Sequence, residues 1–360
     1  MALDFAKEGF RAASTEEERV FEAAKLFGAG RNASNFHAQN RLLEAFTTSD
    51  FPVLLGQAFE KEAMQAQKDA VREFEPFAFT TNLTDFRPKK MVDLFGQTYF
   101  DDVAEGEEYK GDKLAETSVE VSTGKTGRNF GLTFEMMLTR DFAELADFPR
   151  LLGNGAVNTE NKKVFELLVG DSGLNTDFWG DVDDKPLTAE NLQSAIEALA
   201  VKTNHRDELV DISSIVLLVA PAQQFRAQQI LNAQEIEITS TNGNRVQKTR
   251  VPNPFRGLIT LQVSRSFGSF NGATTAGSSW ALLPHRSTDN PAVVKTGLIG
   301  HENVDIRVKR DQGQRVGGGE VPVNEGSFDD DTIWYRGRHF TGAAKGFTMA
   351  VYASNGSAGA

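Results

Sequence analysis

At a customary ~150 residues per domain, a chain of 360 residues has room for about two domains and a sizeable buried core. With 40% hydrophobic and 24% charged residues, it is neither collagen-like, low-complexity nor wholly disordered. Thirty-eight basic against 50 acidic residues leave a formal charge of −12, which argues against a protein whose main work is gripping phosphate backbones. The absence of cysteine removes disulfide frameworks, thiolate metal sites and Cys nucleophiles, and it fits a reducing cytoplasm. The longest apolar run, Ile215 to Ala222, falls far short of the ~20 residues of a membrane helix, and the N-terminus lacks the basic and apolar regions of a signal peptide, so the chain is expected to stay where it is made. The aromatic set is lopsided, with 27 Phe against 4 Tyr and 3 Trp. Rings without a polar handle belong in cores and in contacts between subunits.

The first 75 residues read as helices joined by short breaks. Glu16, Glu17 and Glu18 suit a helix N-terminus electrostatically, and Val20, Ala23, Ala24 and Phe27 share a face behind them. A second helix carries Leu42, Leu43 and Phe46, and a third runs from Val53 to Phe74 with Leu54, Leu55, Phe59, Met64 and Val71. These narrow stripes suit either a small bundle or an extended arm docked on neighbouring chains. From Phe77 the apolar period switches to two. The segment from Val103 to Glu135 reads as one long hairpin, with Val119 and Val121 on one strand, Phe130, Leu132 and Phe134 on the other, and Gly124-Lys125-Thr126-Gly127 as its turn. An arm of ~15 residues reaches about 50 Å, against a radius of gyration of roughly 20 Å for a compact domain of this size, so the hairpin is expected to lie across something else.

A long helix follows, with Asp147 as its N-cap, Pro149 in its first turn, and Leu145, Phe148, Leu152 and Ala156 at helical spacing. After a polar break at Asn158 to Lys163, Val164, Phe165 and Leu168 continue the stripe. Gly153 and Gly155 each weaken such a helix by about 1 kcal/mol relative to Ala, which implies close packing there. Beyond an Asp- and Gly-rich loop the chain alternates helix and strand: a helix through Leu192, Ala195, Ile196 and Leu199, a buried strand Ser214 to Val219, a helix opened by Pro221, a basic loop with Arg245, Lys248, Arg250 and Arg256, and strands at Leu258 to Val263 and Trp280 to Leu283. Four further strands are expected at Val293 to Leu298, Val304 to Lys309, Thr332 to Phe340 and Gly346 to Tyr352.

Catalytic patterns fail on inspection. The five histidines, His37, His205, His285, His301 and His339, stand singly without ligand spacing. Gly124-Lys125-Thr126 has Val119 where a phosphate-binding loop needs glycine, and Gly153-Asn154-Gly155 has Asn158 where a dinucleotide fingerprint needs its third. Asp181, Asp183 and Asp184 lack the glycine and closing Glu of a calcium loop and read as a solvated loop. Asp329-Asp330-Asp331 reads as a solvated turn or a charge block beside an exposed strand. The basic loop from Arg245 to Arg256 suits contact with an acidic partner or nucleic acid, or a solvated flexible loop.

In this order, the elements resemble the major capsid proteins of tailed bacteriophages, of the Hong Kong 97 type, and within them the Mu-like major head subunits. Val103-Ala104-Glu105-Gly106-Glu107-Glu108-Tyr109-Lys110 looks like the family's "VxEGxEY" start of the E-loop. Thr126 to Thr133, Met137 to Asp141 and Phe148-Pro149-Arg150 look like its "YGRxFxIT…INDD…FxxxPR" passage. Asn158-Thr159-Glu160-Asn161 stands where the spine helix continues. Ile215 to Pro221 looks like the "YLLVPP" strand of the A-domain, and Trp334 to Phe340 like the "xxxRVRHxFG" strand of the P-domain.

The resemblance implies an α+β Hong Kong 97-like fold: an N-terminal helical arm (1–76), a P-domain strand segment (77–100), an E-loop hairpin (101–135), a P-domain part with the spine helix (136–175), an inserted α/β A-domain (176–292) and C-terminal P-domain strands (293–360). It also implies a shell subunit, not an enzyme and without cofactor or metal, found in the virion and assembled in the host bacterial cytoplasm. Its partners would be copies of itself in pentamers and hexamers, with scaffolding, portal and decoration proteins, around double-stranded DNA bound without sequence specificity and with no membrane. Contacts between subunits are expected at Glu107, Glu108, Tyr109, Lys110, Lys113, Lys125, Arg128, Phe130, Arg245, Lys248 and Arg250. No large N-terminal segment is expected to be removed. No Lys–Asn cross-link is expected either, since Lys110, Lys113 and Lys125 show no match with Asn324 and a nearby carboxylate. An encapsulin shell around an enzyme cargo shares this fold and is the alternative; a soluble α/β enzyme centred on residues 188–283 is the remote one.

Overall fold

The computed structural model describes residues 16–30, 36–46, 48, 50–93, 103, 105–108, 117–139, 143–170, 173–203, 209–210, 212–242, 245–270, 277–288 and 291–356. Helices and sheets are mixed without a regular alternation, an α+β chain, and it divides into two compact units. The first is Met1–Val71, Lys125–Thr159 and Ile299–Phe340; the second is Arg72–Gly124, Glu160–Leu298 and Thr341–Ala360.

In the first unit, helices α1 (Glu16–Gly30), α2 (Phe36–Phe46) and α3 (Phe51–Asp69) share one apolar core with the second half of the unit. Val20, Ala23, Leu26 and Phe27 of α1, Leu42 and Phe46 of α2, and Leu54, Leu55 and Phe59 of α3 are buried with Leu132, Phe148, Ile306 and Tyr335. The sequence left open a bundle or an extended arm. The helices form a layer packed on their own chain, with Ala24 outside the buried face. Helix α3 stops at Asp69, because Ala70 turns to the extended region, so Val71 lies outside it and is exposed.

Strand β4 (Gly124–Leu132) corrects the expected hairpin turn. It pairs with β15 (Ile333–Lys345), and Gly124 to Gly127 are its first residues. A side chain at Gly127 would stand 2.6 Å from the Gly337 carbonyl oxygen, and the Thr126 hydroxyl donates to the His339 carbonyl at 3.1 Å. The glycine here allows a close backbone approach inside a strand. Strand β14 (Asp305–Val308) also runs antiparallel to β15, with Asp305 opposite Arg338. After the short helix α4 (Phe134–Thr139), the long helix α5 covers Ala143–Leu168, so Asp147 and Pro149 lie inside it rather than at its start.

The second unit holds a mixed sheet in the order β11-β8-β12-β16-β7, built from β7 (Val182–Asp183), β8 (Ile215–Val219), β11 (Ile259–Val263), β12 (Trp280–Pro284) and β16 (Tyr352–Ser354). Period-two geometry sends the apolar residues of β8 and β12 into two different cores. Ile215, Leu217, Val219, Trp280 and Leu282 face a cluster with Leu192 and Leu199 of α7 (Ala189–Ala200) and Leu231 of α8 (Gln224–Asn232). Val216, Leu218, Ala281 and Leu283 face a second cluster with Phe77, Val164, Phe165, Leu168, Phe178 of α6 (Thr176–Trp179) and Phe267 of α9 (Arg265–Phe270). Strands buried on both faces read as unbroken apolar runs. The last strand is shorter and later than expected, and it lies between β12 and β7 in this sheet.

Elsewhere in this unit, β1 (Ala78–Leu83) runs parallel to β13 (Val293–Leu298), which pairs antiparallel with the end of β15. A two-residue pair, β5 (Val169–Gly170) with β6 (Gly173–Leu174), follows α5. The polar stretch in α5 is no break: Glu160 is 1% exposed and bonds Arg72 at 3.3 Å and Lys295 at 2.9 Å. The side chain of Asn161 accepts the Glu73 N–H at 3.1 Å. A buried carboxylate without such partners would cost several kcal/mol.

Candidate assembly surfaces

Within the second unit, β2 (Lys89–Asp93) and β3 (Thr117–Val121) pair antiparallel, with Lys89 opposite Val121 and Asp93 opposite Thr117. The first strand of the sequence-predicted hairpin thus pairs backwards along the chain, with β2, and not with β4. Its root is built into the body. Val121 is buried with Leu83, Val294 and Ala344, Met91 and Val119 pack beside them, and the Thr296 hydroxyl donates to the Ser122 carbonyl at 2.6 Å. Among the described residues the sheet these strands form has two members.

Of the predicted contact residues, Glu107 and Glu108 are exposed between β2 and β3, beside Gly106 at φ 89°. Tyr109, Lys110 and Lys113 lie outside the described residues. Lys125 and Arg128 are exposed on β4. Phe130 is engaged in its own copy, half-buried and stacked on Phe148 at a centroid distance of 4.8 Å. The expected basic loop is instead a two-stranded ribbon, β9 (Glu235–Asn242) with β10 (Arg245–Pro252), placing Arg245 opposite Asn242, Lys248 opposite Thr239 and Arg250 opposite Glu237. Alternating polar residues on both strands made it read as a loop. Arg250 is exposed; the side chains of Arg245 and Lys248 lie outside the described part.

The acidic groups are structural. Asp183 accepts from the Tyr352 hydroxyl at 2.7 Å and pairs with Lys185 at 3.0 Å, and Asn355 donates to Asp184 at 3.1 Å. These two hydrogen bonds, Tyr352 first, hold the Asp183 carboxyl below its ordinary value. Asp330 accepts from Ser327 and from the Trp334 indole and closes a turn in which Asp331 takes φ 50°. Asp181, Asp184 and Asp329 to Asp331 are exposed, as the solvated reading expects, and these hydrogen bonds tie both stretches down.

Hollows open in the first unit. A groove of about 1020 Å³ lies between α1, α3 and residues 310–323, where Arg19 pairs with Asp50 at 3.3 Å. A second, of about 560 Å³, lies beside Lys309, Asp330 and Trp334. The third, of about 280 Å³, lies between α5 and the β4–β15 pair, lined by Arg128, Leu151, Gly155 and Arg338. Sequence reasoning missed Leu151 here; the signal was Gly155, an interior helix glycine. Among the described residues no group of three His, Asp or Glu side chains is placed to hold a metal ion, and no helix is long and apolar enough to cross a membrane.

The sequence pattern of the phage capsid proteins matches residues 116–354. The chain belongs to the phage capsid protein family. It is therefore a structural protein of a virion shell rather than an enzyme. No curated protein matches this capsid protein. Among solved structures it is similar to the capsid of Ralstonia phage GP4, at 15% identity over 79% of this chain and 91% of that one with a TM-score of 0.45. It is also similar to the mature capsid of bacteriophage PhiM1 (9% identity, 79% and 86% coverage, TM-score 0.45). A third similar structure is the SrpI encapsulin of Synechococcus elongatus PCC 7942 (10% identity, 77% and 84% coverage, TM-score 0.42).

Proposed function

We propose that this capsid protein is the major head subunit of a tailed phage with a Hong Kong 97-like fold, nearest in kind to Mu-like head subunits. It assembles as pentamers and hexamers into an icosahedral shell around packaged double-stranded DNA. One observation carries the reading: among the described residues the β2–β3 hairpin has an anchored root and two strands. An isolated two-stranded hairpin is marginally stable in water at best, so its outer part is completed by another chain. The −12 charge suits a container, because tight binding to DNA would oppose packing and release of the genome. Scaffolding, portal and decoration proteins are further partners, and the host cytoplasm is the place of assembly.

Phage particles purified from an infected culture test this directly. The reading predicts that this chain is the most abundant protein of a DNA-filled shell. A shell of the same chain holding an enzyme and no genome would move it to the encapsulin class.

A further inference from the structure

We propose that helix α3 guards the free sheet edge of β14, and that without this guard two copies of the chain join edge to edge through β14. Among the described residues the strand stands at the end of its sheet, with β15 on one side. The Lys309 N–H donates to the Trp334 carbonyl at 2.8 Å, and Val308 lies opposite Tyr335. Opposed residues in an antiparallel pair alternate between bonded and unbonded. Asp305 and Arg307 therefore turn their backbone groups to β15, while Val304, Ile306 and Val308 turn theirs to the free edge. Such an edge is a template for pairing with another chain.

Helix α3 answers that edge group by group. Gln67, 3% exposed, accepts the Val304 N–H at 3.0 Å and donates to the Glu302 carbonyl at 3.0 Å. The Glu60 carboxylate accepts the Ile306 N–H. At Gly56 a side chain would stand 3.1 Å from Val308 Cγ2, so glycine lets the helix lie this close. Gly56, Glu60, Ala63 and Gln67 follow at spacings of four, three and four, one stripe along the helix. Helix α5 presses on the same stretch at Gly153, where a side chain would stand 2.3 Å from the Ala63 carbonyl oxygen. The edge beneath the guard is self-complementary. Two copies of β14 paired antiparallel about Ile306 bond through Val304, Ile306 and Val308 and set Asp305 opposite Arg307 of the other copy, a favourable cross-strand pair.

Sedimentation velocity of the full chain carrying Glu60→Leu and Gln67→Leu, at concentrations where the wild type stays unassembled, tests the guard. The guard predicts a species of twice the chain mass that the wild type lacks. That species is expected to vanish when Arg307→Asp is added, which sets like charges opposite each other. It is also expected to vanish with Val308→Pro, which removes an edge N–H and leaves the β15 ladder intact. Unchanged sedimentation overturns the proposal, and so does a dimer that survives both added substitutions. Glu60→Leu alone, at a half-buried position, covers the case in which the double variant does not fold. Its amide hydrogen exchange over residues 302–308 is expected to quicken about tenfold, the loss of one charge-assisted hydrogen bond; unchanged exchange contradicts the guard.

Discussion

Phe59 meets Phe27 at 5.5 Å, Phe148 at 6.4 Å and Tyr335 at 5.6 Å, all edge to face. One ring thus joins α1, α5 and β15 inside the first unit. Phe59→Ala is predicted to destabilise that unit by about 3–5 kcal/mol in denaturant unfolding, the range for emptying a well-packed aromatic site. Phe165, fully buried and edge-on to Phe77 at 6.0 Å, plays the same part in the second unit. Phe165→Asp is predicted to yield insoluble chain, since an unpaired charge there costs several kcal/mol; soluble, cooperative folding of this variant contradicts that. Asp183 gives a pH signature. Its folded-state pKa is depressed below the ordinary 3.8 by the Tyr352 and Lys185 hydrogen bonds, so its stabilisation is present above that value and is lost as the pH falls through the lower folded-state value. Melting curves of the wild type and Asp183→Asn are expected to differ at pH 6 and to converge in strong acid.

At the scale of elements, the apolar runs and stripes were legible wherever burial follows period: α7 and the strands β8 and β12 stand where the sequence placed them. The misreadings share one cause, tertiary partners that override local signals. Gly124-Lys125-Thr126-Gly127 has the composition of a turn, yet the close backbone of Gly337 makes it a strand. Asn158 to Lys163 looks like a polar interruption, yet Arg72, Lys295 and Glu73 satisfy its buried groups. The phenylalanine surplus divides in the same way. Among the described residues thirteen of the rings are buried within one copy, so much of the surplus serves the internal cores, while Phe21, Phe225 and Phe328 remain at least 70% exposed. The proposed contact residues were legible as charge patterns but not as places, because a sequence shows only the groups of its own chain.

Two element-scale predictions follow from these placements. Helices α1–α3 share the core of the first unit, so peptides from residues 16–69 are expected by mass spectrometry in purified virions; their absence contradicts a permanent role. Removal of residues 106–128, most of the hairpin expected from sequence, takes away β3 and half of β4. Joining Asp93 to Thr117 by a short turn is the cleaner excision. It is predicted to leave a soluble subunit with native circular dichroism that no longer forms shells, and loss of folding contradicts the arm assignment.

For the whole molecule, the account rests on association. The chain is acidic, so association of like-charged copies is expected to depend on salt, since the Debye length falls to about 10 Å at 0.1 M. Among the described residues it carries a two-stranded hairpin, an element that is marginally stable at best on its own. The measurement that tests this most directly is sedimentation velocity of the purified chain, co-expressed with its neighbouring genes, with negative-stain microscopy of the same fractions. Closed shells, or discrete pentamers and hexamers, are the predicted result; a chain that stays monomeric at all salt concentrations contradicts the account.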